Sequence, residues 1–124
     1  EFGRMDSTSR QSLILSLLRG LLGEVHPELR QASIETDGDA HIVRVRFEYD
    51  GDAHGPAQES CSCAAGEVIG DFPAPWGLDE QHVAAPLPRV LSPLRYVVYR
   101  RWEHEGASAP YIQAELASRV KNSG

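Results

Sequence analysis

The sequence predicts an α+β fold in the order α-β-β-α-β-β, with the helices packed on one face of a mostly antiparallel four-stranded sheet. Three observations carry this. Two segments, Leu13 to Leu22 and Glu59 to Phe72, place apolar residues at helical spacing; the run from His41 to Tyr49 alternates with period two; and Asp37-Gly38-Asp39 separates that run from an earlier strand-like one, as in a hairpin. With 124 residues, 41% of them apolar and 24% charged, the chain has the composition of one domain with a modest core. That domain is expected over residues 5–104.

Residues 1–4 precede Met5 and read as a cloning remnant, since Glu-Phe is what a common restriction site encodes. The first helix is expected from about Ser9 to Leu22, where Leu13, Ile14, Leu17, Leu18, Leu21 and Leu22 recur at helical spacing and Gly23 supplies the stop. Leu29 to Thr36 reads as a strand with Ala32 and Ile34 inward. In the second strand Val43, Val45, Phe47 and Tyr49 share one face, and Ile42, Arg44, Arg46 and Glu48 share the other. One face is expected to pack and the other to stay wet.

A turn-rich stretch, Asp50 to Pro56, leads into the second helix, and Pro56 suits its first turn. The stripe Cys61, Ala65, Val68, Ile69 and Phe72 follows the helical period, with Glu59 and Glu67 off it and Asp71 on its flank. Pro73 lacks an N–H and biases Phe72 towards extended backbone, so the helix should end near Asp71. Gly66 and Gly70 each cost about 1 kcal/mol of helix propensity. Tight packing of the helix on the sheet is the favoured explanation, and close approach of another backbone the other. Pro73-Ala74-Pro75-Trp76-Gly77 then fixes a loop. Asp79 to Ala85 forms a weak third strand, and Leu94 to Trp102 a stronger fourth, rich in β-branched and aromatic residues. Beyond His104 the composition turns to Gly, Ala and Ser. Pro110 can open a short extra helix with Tyr111, Ile112, Leu116 and Val120 as its stripe, and residues 105–124 are read as a C-terminal appendage.

Twelve Lys and Arg against 18 Asp and Glu give a formal charge of −6, which disfavours nucleic acid and suits a basic protein partner. The apolar run Leu13 to Leu22 is broken by Arg19 and falls well short of the roughly 20 residues that span a bilayer. No Ala-x-Ala-like site follows it, so a cytoplasmic protein without membrane association is expected. No Gly-rich phosphate loop, Gly-x-Ser-x-Gly elbow or zinc-binding helix motif occurs. The histidines His26, His41, His54, His82 and His104 fall in different elements and read as loop and strand-end residues facing water. His104, between Glu103 and Glu105, has the neighbours of a general base but more simply marks a solvated strand end. Cys61 and Cys63 point about 200° apart on a helix, which prevents a disulfide, and they lack further ligands for a metal. Cys61 reads as a small core residue and Cys63 as a thiol on the helix flank. No catalytic residue, cofactor or metal site is assigned, and the chain is expected not to be an enzyme.

Acids cluster at Glu35, Asp37 and Asp39, at Glu48, Asp50 and Asp52, and at Glu67, Asp71, Asp79 and Glu80. Much of this is turn chemistry, yet three acidic loops on a small domain speed capture of a cationic partner. The basic set Arg44, Arg46, Arg95, Arg100 and Arg101 is expected to pair with these acids across the sheet. An open sheet face with Arg, Tyr and Trp would suit RNA, a reading the negative charge disfavours.

Several segments taken together carry a family likeness: Gly23-Glu24-Val25 with Pro27 and Leu29-Arg30, then Asp50-Gly51, Glu59-Ser60, Glu67-Val68-Ile69, Asp71-Phe72-Pro73, and Val98-Tyr99-Arg100-Arg101. Across about Leu13 to Trp102 the chain resembles small bacterial immunity proteins of contact-dependent growth inhibition and related polymorphic toxin systems. It departs from them at Asp52 to Gln58, where the family is richer in acids, and at Gly66 and Gly70, where Thr and Ala are expected. The resemblance implies a protein that neutralises a cognate toxin, expected to be a basic nuclease, by covering its active site or substrate groove. The candidate partner-binding residues are Glu48, Tyr49, Asp50, Asp52, Glu67, Asp71, Trp76 and Asp79, the acids steering the encounter and the aromatics anchoring it. The alternative is a regulatory or scaffold subunit acting through protein binding or self-association, for example a homodimer paired through a sheet edge. A small enzyme or RNA-binding domain is a third reading, and it requires a concave site with convergent His and acidic groups.

Overall fold

The computed structural model describes residues 7–103. The expectations for residues 1–4, for His104 and for the appendage with its extra helix lie outside the described residues. The elements are α1 (Arg10–Leu21), β1 (Leu29–Asp37), β2 (Ile42–Tyr49), α2 (Pro56–Gly70), β3 (Gly77–Ala84) and β4 (Tyr96–Arg100), in the expected order.

Helix α1 begins where Ser9, in extended backbone, accepts the N–H of Ser12 at 3.2 Å, which satisfies one of the free amides of the first turn. It ends before Gly23, whose φ of +78° lies in the region glycine enters without strain. The hairpin between β1 and β2 has Asp37 as its last paired residue, opposite Ile42. The Asp37 carboxylate accepts the N–H groups of Asp39 and Ala40, and His41 closes the turn at a φ of 55°. Helix α2 starts at Pro56 and stops at Gly70, just short of the Asp-Phe-Pro sequence that breaks it.

The two helices run antiparallel. Ser16 and Arg19 of α1 reach Asp71 at the end of α2, whereas His26, beyond α1, meets Ser60 near its start at 2.9 Å. Between these contacts the backbones touch: a Cβ added at Gly20 would fall 2.8 Å from the carbonyl oxygen of Ala64. Gly20 is therefore the close-approach glycine of the helix pair. Gly66 and Gly70 do not serve packing within this chain, because each is exposed and a Cβ on either would have no neighbour within 4 Å among the described residues, which corrects the expectation of tight packing on the sheet.

The sheet order is β3-β2-β1-β4. The β1–β2 and β1–β4 pairs are antiparallel, and the β2–β3 pair is parallel, from Ile42 opposite Gly77 to Tyr49 opposite Ala84. The sheet is thus mixed. Helix α2 supplies the crossover that a parallel neighbour requires, since a tight turn can join only antiparallel strands. Leu13, Leu17 and Leu21 of α1 and Cys61, Ala64, Ala65 and Val68 of α2 cover Leu29, Ala32, Ile34, Val43, Val45, Phe47 and Tyr49, all buried.

The second face of the sheet is not wet. Strand β3 lies at one edge and β4 at the other, so residues 85–95 cross the face opposite the helices. The strap carries Pro86, Pro88 and Pro93, and the sheet's polar side chains satisfy its backbone. Glu48 accepts from the Ser92 N–H at 2.6 Å and from Gln31 at 2.8 Å; the Ser33 hydroxyl accepts from the Leu94 N–H at 2.9 Å; Glu35 accepts from the Arg95 N–H at 3.1 Å. Arg46 donates to Gln81 at 2.8 Å and to the Ser92 carbonyl. Gln31, Ser33 and Glu48 are buried as a result. Beyond β4 the chain leaves the sheet, and Trp102 is exposed rather than part of a strand. No helix among the described residues is long and apolar enough to cross a membrane.

Candidate partner interface

The residues expected to bind a partner divide by burial. Glu48 and Tyr49 lie inside the domain. Glu48 sits under the strap, and the Tyr49 ring lies in the core with its hydroxyl 2.7 Å from Nδ1 of His82. Neither presents a side chain to a partner in this fold. Trp76 is half-buried, packed edge-on against His41 and tilted on Phe72 with ring centres 5.2 and 5.3 Å apart. Asp50 accepts from Arg101 at 3.0 Å and from the Leu87 N–H at 3.1 Å, while Asp79 accepts from Arg44 at 2.6 Å and from Gln81 at 3.1 Å. Asp71 joins the two helices by accepting from Ser16 at 2.6 Å and Arg19 at 2.8 Å. Asp52 and Glu67 are exposed.

The basic side chains distribute as follows. Arg44 bridges Glu35 and Asp79 across the sheet, as expected, whereas Arg101, just past β4, bridges Asp50 and the nearby Glu103. Arg46 and Arg100 bond amides, those of Gln81 and Gln31, while Arg95 lies over the Tyr96 ring at 5.3 Å. The principal ion pair involves Arg30, a residue the sequence reading used only as a point of family likeness. Arg30 is fully buried at the start of β1, and its guanidinium forks onto Glu103 at 2.7 and 2.8 Å. Its remaining nitrogen donates to the carbonyls of Ala85 at 2.7 Å and Arg89 at 2.8 Å. One side chain thus joins the end of β3, the strap and the segment after β4. A basic residue inside a run otherwise read as a core strand is the signal that could have exposed it, since a buried guanidinium requires a carboxylate and several acceptors.

These pairs set the charge states. Arg30 and Arg101 hold the Glu103 carboxyl below its ordinary value, and Arg44 does the same for Asp79. At Asp50 burial pushes upward, but the Leu87 N–H and Arg101 outweigh it and the net direction is down. Burial pushes the Cys61 thiol up to about 11 and drives the Tyr49 phenol well above its usual range. Cys61 is buried and Cys63 exposed, as their helical spacing predicted.

The most reactive-looking cluster is Tyr49, Ser62, Glu80 and His82, between α2 and β3. His82 is not a water-facing histidine: its side chain is 11% exposed, and its ring stacks on Phe47 and Tyr49. Its Nδ1 meets the Tyr49 hydroxyl, while Nε2 faces both Glu80 and, at 3.4 Å, the Ser62 hydroxyl. Ser62 itself donates to Glu80. In a serine-histidine-acid relay the carboxylate and the serine occupy opposite ring nitrogens, so that the imidazole carries the proton between them. Here both crowd the same nitrogen and a phenol takes the other. The geometry ties α2 to β3 and supplies no relay. No group of three or more His, Cys, Asp or Glu side chains among the described residues is arranged to hold a metal ion.

The outward side of the helix layer is exposed. Leu15, Leu18 and Leu22 are exposed along α1, with Val25 just beyond. Glu59, Cys63, Gly66, Glu67 and Gly70 form the exposed face of α2 beside them. A cleft of about 310 Å³ opens at one end of this layer, lined by Ser12, Leu15, Ser16, Arg19, Asp71 and Phe72.

Residues 10–103 match the family profile described as MafI2 immunity protein. The match covers most of the chain and all six elements, and the protein belongs to the MafI2 immunity protein family. Membership carries a toxin-neutralising role and implies a cognate toxin as partner. A search of curated proteins gave no match.

Proposed function

We propose that this immunity protein neutralises a nuclease toxin by binding over its substrate groove, without catalysis of its own. The observation that supports this most is the combination of family membership with an acidic surface: the formal charge is −6, and Asp37, Asp39, Asp52, Glu59 and Glu67 are exposed. A nuclease groove is cationic because it must neutralise phosphates, so a rigid acidic protein competes for the same charges. The toxin is then a basic protein of the contact-dependent or related polymorphic systems, and inhibition takes place in the cytoplasm, where the nucleic acid is. An interface of this kind buries on the order of 1,200 to 2,000 Å² in total.

The test is co-expression with the toxin encoded beside it, read as growth rescue, followed by an in vitro nuclease assay with purified complex. Rescue together with stoichiometric loss of DNA or RNA cleavage is expected. Growth rescue without any nuclease activity in the free toxin refutes the nuclease assignment while leaving immunity intact.

A further inference from the structure

Three surfaces stand out for an unassigned role: the free edge of β3, the Tyr49, Ser62, Glu80 and His82 cluster, and the outward face of the helix layer. The first offers only backbone groups, and the second is inside the domain with its polar atoms satisfied by one another. The third combines apolar exposure, a cleft and charge. Leu15, Leu18 and Leu22 are 45%, 47% and 74% exposed. Leu15 and Leu18 on α1 and Leu22 at its C-cap stand at i, i+3 and i+7, so they form one ridge that points away from the buried Leu13, Leu17 and Leu21. Solvated faces of helices in small soluble domains are normally polar, and a regular leucine ridge left in water marks a contact surface.

The flanks of the ridge say what kind of surface meets it. Along the neighbouring helix Glu59 and Glu67 face outward with no ion-pair partner among the described residues. At the far end Asp71 lies at the cleft, and the nearby cation, Arg19, is already bound to it. The rim is therefore acidic and the centre apolar. This is the layout in which a desolvated centre carries affinity and a charged rim carries association rate. The other exposed large apolar side chains away from the helices, Val83 on β3, Leu87 and Val90 on the strap, Val97 on β4 and Trp102 beyond it, lie outside any helix and form no comparable helical ridge.

We propose that the ridge Leu15, Leu18 and Leu22, rimmed by Glu59, Glu67 and Asp71, is the surface that docks the cognate toxin. The complementary toxin surface is an apolar groove bordered by Lys and Arg. The proposal rests on the immunity reading and adds to it the face and the division of labour within that face. In this arrangement the leucines hold the complex together and the acids bring it together.

The experiment measures binding of the full chain to the catalytic domain of the neighbouring toxin by surface plasmon resonance at two salt concentrations. Two variants are compared with wild type: Leu15→Gln/Leu18→Gln/Leu22→Gln and Glu59→Lys/Glu67→Lys. All these side chains are exposed, and circular dichroism with thermal melting checks that both variants fold. The leucine variant should dissociate at least tenfold faster with little change in association. The charge variant should associate at least threefold more slowly at low salt, and the difference should shrink at high salt. A Val90→Gln/Trp102→Gln control should bind as wild type does. Wild-type binding that survives the leucine changes overturns the proposal while leaving immunity standing; no binding by wild type overturns both. Two further outcomes would also overturn it: self-association of the chain that the leucine changes abolish, and a chain ending at Glu103 whose α1 amides exchange hydrogen faster than in the full chain. The first would make the ridge a homodimer interface, and the second would make residues 104–124 its cover.

Discussion

Replacing Arg30 by Met tests whether one buried side chain clamps the strap to the sheet. In the native fold Arg30 makes four hydrogen bonds of 2.7 to 2.8 Å, two to Glu103 and one each to the carbonyls of Ala85 and Arg89. Methionine fills a similar volume but leaves the carboxylate and both carbonyls without their donor. Removing one partner of a buried ion pair costs about 3 to 5 kcal/mol, because the other charge stays desolvated. Glu103 is 14% exposed and keeps one bond to Arg101, so the lower part of that range applies, about 3 kcal/mol. For a domain of about 100 residues this corresponds to a fall in Tm of roughly 12 to 24 °C. Urea denaturation followed by tryptophan fluorescence and circular dichroism gives the equilibrium value. Arg30→Lys keeps the charge but loses the two-pronged geometry, and it should fall between wild type and Met. In a double-mutant cycle with Glu103→Gln the coupling should exceed 1 kcal/mol. A loss below about 1 kcal/mol for Arg30→Met, or a coupling near zero, would refute the clamp and mean that the prolines of the strap hold it in place unaided.

Two further outcomes follow from the same geometry. Gly66→Ala should raise stability by about 1 kcal/mol through helix propensity, because the added methyl meets open space. Gly20→Ala should lower it by about 1 kcal/mol despite the same propensity gain, since overpacking costs typically 1 to 3 kcal/mol and the methyl would fall 2.8 Å from the Ala64 carbonyl oxygen. Opposite signs in paired melting curves check this, and equal signs would place the helix crossing elsewhere. As to pH, Glu103, Asp50 and Asp79 are all held below their ordinary values of 4.5, 3.8 and 3.8, so each binds protons more weakly folded than unfolded. Their contribution is complete above those ordinary values and is lost as pH falls through the lower folded ones. Tm should therefore drop below about pH 4, and the drop should be shallower in Arg30→Met, which lacks the main cause of the Glu103 shift.

The elements legible from sequence are those whose signal is local. The leucine period of α1, the Asp-Phe-Pro end of α2 and the alternation of β2 each lie within one segment, and each matches the fold within a few residues. The parallel pairing of β3 was not legible, because its partner β2 is separated from it by α2 and nothing in Gly77 to Ala84 marks a direction. The strap was missed for a related reason. Period two places Arg44, Arg46 and Glu48 on one face, and polarity on a strand face ordinarily means water. Here it means the backbone of residues 85–95, whose N–H and C=O groups need partners that apolar side chains cannot provide. The same error explains why Glu48 and Tyr49 looked like contact residues. An acid and an aromatic before a turn suggest a surface, whereas in the fold one is buried under the strap and the other under α2.

The covered second face also bears on where a partner can sit. A four-stranded sheet with helices on one side usually leaves its other side open for binding, and the strap removes that option over much of β1 and β2. Its carbonyls and amides are held by Arg30, Arg46, Glu48 and Ser33. A toxin that docked there would have to displace several buried hydrogen bonds to reach the sheet, each leaving a desolvated polar group behind. The outward face of the helices asks for no such displacement. Its leucines are already in water, and Glu59 and Glu67 have no ion-pair partner among the described residues, so binding there would remove apolar surface from solvent and add ion pairs without breaking the Arg19–Asp71 pair. A sheet filled on both sides from within thus leaves the outward helix face open among the described residues, which is the condition the proposed docking requires.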